Sequence, residues 1–320
     1  MSLKQTKLKL FILFSVVVIT GALYLVLGID FDIFAYQIQS RIRKLILMVL
    51  VGAAIGTSVI IFQAITVNRL LTPSMMGLDA VYMFVKVVLV FIFGIQSIAV
   101  TNLYLNFALT LVAMIIFALI LFQGVFKYGN FSVYFILLIG VILGTFFRSI
   151  TGFIELVLNP EDFLAVQSSM FANFNASNEK LVLIGGIVLI ILIAITIKIL
   201  PYLDVLLLGK AQAMNLGVNY TRVTRLLMIM VALLTAIATA LVGPITFLGL
   251  LTVNIAHEIM KTFEHKYLLP ATIFLSWISL FTAEWVVEHL FEATTEVSIL
   301  INLIGGSYFV YLLIKRRNVR

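Results

Sequence analysis

Apolar runs of about twenty residues recur from one end of the chain to the other, and this recurrence leaves few folds open. A bilayer's hydrocarbon core is about 30 Å thick, so a helix needs about twenty apolar residues to cross it. In lipid every backbone N–H and C=O must be paired internally, which restricts spanning segments to helices and closed barrels. The runs are continuously apolar rather than alternating, so they read as helices. There are ten, at about 9–27, 45–65, 79–95, 103–123, 131–150, 181–200, 223–242, 245–260, 270–289 and 298–314. The expected fold is an all-α polytopic membrane protein, with residues 1–320 forming one transmembrane domain. Composition agrees: 63% of the 320 residues are hydrophobic and 11% are charged, against about 25% charged in soluble domains. The first run, Leu8 to Leu27, is longer than a signal-peptide core and is followed by no A-x-A-like cleavage site. It reads as a retained span.

Charge sets the orientation. An even number of spans puts both termini on one side, and Lys4, Lys7, Lys9, Lys315, Arg316, Arg317 and Arg320 assign that side to the cytoplasm. Of the 21 Lys and Arg, fifteen then fall inside and five outside, with Lys86 within a span. The net charge of +7 is thus explained by topology, and nucleic acid is not an expected partner. Three of the five outward cations, Arg41, Arg43 and Lys44, stand together before the second run. One reading is that they bind lipid phosphates. The other outer segments are acidic, with Asp30, Asp32, Glu155, Glu161, Asp162, Glu179, Glu288, Glu292 and Glu296. The longest, about 151–180, is expected to form short surface helices around the break at Asn159-Pro160.

"RIRKLILMVLVGAAIGTSVI" at 41–60 echoes "RVTRLLMIMVALLTAIATAL" at 222–241. By the charge count the two run in opposite directions, which is the mark of an inverted repeat and favours transport over enzymology.

Constellations for chemistry are sparse. There is no cysteine, hence no disulfide or thiolate metal site. His257-Glu258 lacks the second histidine of H-E-x-x-H, since Lys261 occupies its place. Gly209-Lys210 lacks the upstream glycine of a P-loop, so the chain itself cannot hydrolyse ATP. Lys86 is expected to snorkel toward the cytoplasmic interface or to pair with Asp79. Glu284 and Glu288, one turn apart, are expected at the outer interface.

Backbone-shaping residues stand out instead. Gln63, Asn68, Pro73 and Gly77 suit a short re-entrant turn on the cytoplasmic side, of the kind tolerated in a bilayer only when buried in protein or lining a cavity. From Leu203 a second segment holds a short helical core, Lys210 to Leu216, between Gly209 and Gly217. It suits either a docking element or an ordinary amphipathic connector.

From about residue 40 onward these motifs resemble the permease subunits of binding-protein-dependent ABC importers for iron-siderophores, haem and cobalamin, the FecCD-like family. The family's R-L-P-R-L and G-A-A-L-x-x-S-G appear as Arg41 to Leu45, then Gly52-Ala53-Ala54 and Ser58. Its Q-x-x-x-x-N-P-L-x-x-P-x-x-L-G appears as Gln63, Asn68, Leu70, Pro73 and Gly77. Its L-G-E-x-x-A-x-x-L-G appears as Leu208, Gly209, Lys210, Ala213, Leu216 and Gly217. "GPITFLGL", with Gly243 and Gly249, and "LIGGSYFVYLL", with Gly305 and Gly306, complete the series. The departures are Arg43 and Arg69 for prolines, Val59 for glycine, Lys210 for glutamate, Val253-Asn254 for Pro-His and Glu288 for an arginine. "FANFNAS", Phe171 to Ser177, also differs from the usual sequence there.

The resemblance implies a non-catalytic permease that imports an iron-siderophore, with a lean toward the catecholate type. Importers of haem or cobalamin, or a non-ABC secondary transporter, are the alternatives. It implies a second permease copy or paralogue, an external substrate-binding protein and a cytoplasmic ATPase dimer that carries ATP and magnesium. This chain would bind no cofactor of its own, and the cargo would be a ferric chelate. Arg41 and Lys44, with Arg43 as an extra cation, would dock glutamates of the binding protein, and Leu208–Gly217 would couple to the ATPase.

Overall fold

The computed structural model describes residues 3–29, 34–127, 133–175, 178–292 and 294–317. Asp30, Asp32, Ser177 and Arg320 lie outside them. The described residues form thirteen α-helices and no strand. In chain order these are α1 (Leu3–Val26), α2 (Phe34–Thr66), α3 (Leu78–Phe93), α4 (Ile98–Thr101), α5 (Leu103–Lys127), α6 (Val133–Val157) and α7 (Pro160–Ser169). Then come α8 (Glu179–Leu206), α9 (Lys210–Asn215), α10 (Tyr220–Val242), α11 (Leu248–Met260), α12 (His265–Leu290) and α13 (Val297–Arg317). A 3-10 turn, Pro73–Met76, precedes α3.

Local chemistry sets the helix ends. The Asn178 side chain accepts from Lys180 N at the start of α8, and Asn219 does the same for Arg222 N at the start of α10. Asn102 accepts from Tyr104 N and Leu105 N at the start of α5. Each of the ten apolar runs lies in a helix of its own. Eight of these helices are long and apolar enough to cross a membrane. The other two, α3 and α11, have 16 and 13 residues. At 1.5 Å per residue they reach only about 24 and 20 Å.

The two echoing segments form the centre of the molecule. They lie in α2 and α10, the two most enclosed spans, which pack on each other. Leu227, Val231, Leu234 and Ala238 of α10 lie on one helical face, all buried, while α2 is buried all round from Val51 to Thr66. The remaining long helices are less enclosed, and α1, α5, α6, α8 and α13 have under a third of their apolar stretch buried. That is the pattern of a bundle bathed in lipid, where apolar surface need not be hidden.

Two boundaries differ from expectation. α2 begins at Phe34, so the cluster Arg41, Arg43 and Lys44 stands two to three turns inside a helix rather than ahead of one. α6 runs on to Val157 and absorbs the first expected surface helix, leaving α7 alone beyond Asn159-Pro160. The reason is that nothing interrupts helical hydrogen bonding before Pro160, whose ring is accepted only in a first turn.

Candidate functional site

Three features could serve transport: a charged rim at one face, a pair of broken helices in the interior, and a short elbow at the opposite face.

At the rim the three neighbouring cations have three different environments. Arg41 is 8% exposed, and its guanidinium donates to Tyr24 O at 3.0 Å and Leu27 O at 2.6 Å. These carbonyls end α1, so Arg41 caps that helix and complements its negative end. Glu288 lies 3.7 Å from it. Lys44 Nζ bridges Glu284 at 3.2 Å and Glu288 at 2.5 Å, both from α12. Only Arg43 faces outward. It is 54% exposed and pairs with Glu179 of α8 at 2.7 Å. Arg41 and Lys44, expected to dock the binding protein, have their donors engaged here in tying α1 and α12 to α2. Glu284 and Glu288, expected at the outer interface, belong to this same rim: Glu284 is 3% exposed, and Glu288 points into the cluster.

In the interior both short helices begin at a break. Gly77 has φ +84° and passes between Gly140 and Gly144 of α6; a Cβ on it would stand 2.9 Å from Gly140 O and from Gly144 Cα. Only three glycines permit this crossing. The spacing of Gly140 and Gly144, G-x-x-x-G, was a signal in the sequence that the expectations did not use. Above the end of α2, Gln63 Nε2 and Asn254 Nδ2 both donate to Arg69 O, at 2.8 and 3.0 Å. Asn68 Oδ1 accepts from Leu70 N. At the start of α3, Asp79 Oδ2 accepts from Thr246 Oγ1 at 3.1 Å. Thr246 precedes α11 and Asn254 is seven residues into it, so the two contacts lie about 10 Å apart along the axis. The chain from Arg69 to Asp79 climbs that distance, and α3 starts inside the bundle, tied at Asp79 to Thr246 just ahead of α11.

This geometry corrects the expectation for Lys86. Asp79 is occupied by Thr246, and Lys86, carried upward on α3, donates to Asn106 Oδ1 near the start of α5 instead. It points toward the Arg43 face.

The elbow follows α8. Leu208 N and Gly209 N close the last turn of α8, and α9 then occupies six residues. Val218 N donates to Ala213 O and Gly217 N to Met214 O, a Schellman arrangement that needs left-handed backbone at Gly217, where φ is +82°. Gly209 has φ +90°. Neither glycine is crowded, so conformation and not space requires them. Ala213 is fully buried, while Leu208, Met214 and Leu216 are each more than half exposed. Beneath them, Asp204 Oδ1 accepts from His265 N at 2.9 Å and meets His265 Nδ1 at 2.6 Å, joining α8 to the start of α12. The sequence held no signal for that contact, because its partners are 61 residues apart. Among the described residues no three His, Asp or Glu gather to hold a metal ion.

Residues 8–315 match the FecCD transport family. The chain belongs to that family. Among FecCD relatives, the petrobactin import permease YclO of Bacillus subtilis is 41% identical over 97% of this chain and 98% of its own length. The petrobactin import permease FatC of Bacillus anthracis is 30% identical, over 90% of this chain and 82% of its own. A solved metal-chelate type ABC transporter, captured in an inward-facing conformation, superposes with a TM-score of 0.84, at 24% identity and over 97% and 99% of the two chains. That likeness concerns the fold. The chain is a multi-pass bacterial membrane protein.

The FecCD motif glycines divide by what they touch. Gly249 of α11 lies against Val59 of α2, where a Cβ would come within 2.3 Å of Val59 Cγ2. Gly305 of α13 similarly receives Phe247. Gly243 packs on Phe171 O. Gly306 has open space around it, and nothing in the structure explains it. Asn254, one of the departures noted in the sequence, is the side chain that ties α11 to the first break.

Proposed function

We propose that this chain is the permease subunit through which a ferric siderophore enters a bacterial cell, driven by ATP and magnesium bound to a separate ATPase dimer. The observation that carries this reading is the full-length match to a petrobactin import permease. Petrobactin is of the catecholate type, the branch expected from the sequence. In this reading the Arg43 face looks outward and both termini lie in the cytoplasm. The α9 elbow offers Leu208, Met214 and Leu216 to the ATPase, and a second permease copy or paralogue completes the pathway. Arg43 meets an acidic residue of the substrate-binding protein, while Arg41 and Lys44 hold the rim in shape.

Uptake tests the cargo. A strain lacking this gene is expected to lose accumulation of radioactive iron supplied as ferric petrobactin and to regain it on complementation. Loss of haem or cobalamin uptake, with ferric petrobactin unaffected, would refute the assignment.

Docking has its own test. Arg43→Glu replaces the exposed cation and sets a carboxylate against Glu179. An exposed pair is worth only about 0–1 kcal/mol, so the effect is on encounter rather than on folding. Uptake is expected to fall several-fold when binding protein is limiting and to recover when it is saturating. Equal rates at limiting binding protein would remove Arg43 from the interface.

A further inference from the structure

The ammonium of Lys86, already placed against Asn106, also lies 5.3 Å from the centre of the Tyr82 ring. It opens on a cavity of about 250 Å³. Asn106, Ser168, Ser169, Asn173 and Asn178 supply its polar lining, while Leu103, Phe107 and Leu181 supply an apolar side. Two facts place the cavity near the membrane surface on the Arg43 side. Asn178 caps α8 immediately before Glu179, the partner of Arg43. Asn106 lies four residues into α5, whose preceding residue Asn102 is outside the helix. α3, α7 and the end of α10 form its inner walls, while Leu103, Phe107 and Leu181 come from α5 and α8, two spans with little of their apolar length buried, so this side of the cavity is the one nearest to lipid.

The charge is unbalanced. No carboxylate is found among the described residues that line the cavity. One link to a carboxylate is indirect, through Asn173 Nδ2, which lies 3.3 Å from Glu296 Oε1. A lysine held away from water is unfavourable unless its charge is met, and an amide neighbour solvates it without neutralising it. A bound anion would neutralise it. The apolar side, carried by two sparsely buried helices, suits an amphiphile rather than a free ion.

We infer that the Lys86 cavity holds the phosphate of an anionic phospholipid from the leaflet on the Arg43 side. Lys86 supplies the counter-charge. Asn106, Asn178 and the two serines offer hydrogen bonds, and the first acyl carbons lie along Leu103, Phe107 and Leu181. The site goes beyond the transport role and does not depend on it.

The test uses the full-length permease in phosphatidylcholine nanodiscs doped with phosphatidylglycerol, with retained lipid counted by native mass spectrometry. The wild-type chain is expected to keep one phosphatidylglycerol. Lys86→Met is expected to reduce occupancy about tenfold, as loss of a charge-assisted hydrogen bond would, while Lys86→Arg keeps it. Asn106→Asp leaves the lysine in place but sets a carboxylate on its ammonium, and is expected to release the lipid as well. That variant decides the matter even if Lys86→Met fails to fold. Unchanged retention in Asn106→Asp overturns the site. Displacement of the lipid by inorganic phosphate, or by ferric siderophore, also overturns it, by showing that the cavity takes a free anion or the cargo.

Discussion

Replacing Lys44 with methionine is expected to lower the midpoint of thermal unfolding by about 6–10 °C. The ammonium now lies between two carboxylates, Glu284 and Glu288, and all three side chains are largely buried. Removing it leaves two carboxylates facing each other away from water, with only Arg41, 3.7 Å from Glu288, beside them. Breaking a buried ion pair in this way destabilises by about 3–5 kcal/mol, and for a chain of this size each kcal/mol shifts the midpoint by about 2 °C. The loss is specific to the orphaned charge, so adding Glu284→Gln and Glu288→Gln to the same variant should recover most of it. Unfolding in detergent, followed by tryptophan fluorescence, reads both variants; Trp285 stands beside Glu284. An unchanged midpoint for the single variant would mean that the cluster is wetter than the structure has it. Arg43→Met, by contrast, should leave the midpoint where it is.

The second large effect concerns coupling. Gly209→Val together with Gly217→Val is expected to cut ATP-driven uptake at least tenfold while the partner ATPase continues to hydrolyse. Both glycines hold φ near +80 to +90°, a region that β-branched residues occupy only with strain. Valine at 217 would undo the Schellman closure, and α9 would lose its fixed angle to α8. Little else holds α9 in place, since Ala213 is its one buried residue. The fold should survive, because α8 and α10 are anchored elsewhere, through Asp204–His265 and through the α2 interface. The measurement is the ratio of siderophore imported to ATP hydrolysed in proteoliposomes holding the whole transporter. A normal ratio would show that α9 is an ordinary connector, the other reading that its sequence allowed.

Much of this molecule is legible without coordinates, for a simple reason. A bilayer asks about twenty apolar residues of a helix that crosses it, so apolar runs announce helices whatever they pack against. The pair of echoing segments could likewise be picked out, and they proved to be the two central helices. What failed to show was pairing across distance. Lys86 and Asp79 are seven residues apart and look like partners on one helix, yet each is claimed by a residue from elsewhere, Asn106 and Thr246. Arg41, Arg43 and Lys44 look alike in sequence. Successive helical positions point about 100° apart, so one faces the end of α1, one faces α12 and one faces outward.

The amino-acid sequence by itself determined the class of molecule, the number of apolar helices, the places where backbone must break and the family. Those properties follow from local quantities: length of apolar run, residue type at a cap, glycine where φ is positive. Only the tertiary structure decided which charges are free. Whether a cation is a docking group or a structural cap depends on whether a carbonyl end or a carboxylate from another helix reaches it first. That is a matter of packing between segments far apart in the chain, 244 residues for Lys44 and Glu288, and no local pattern encodes it.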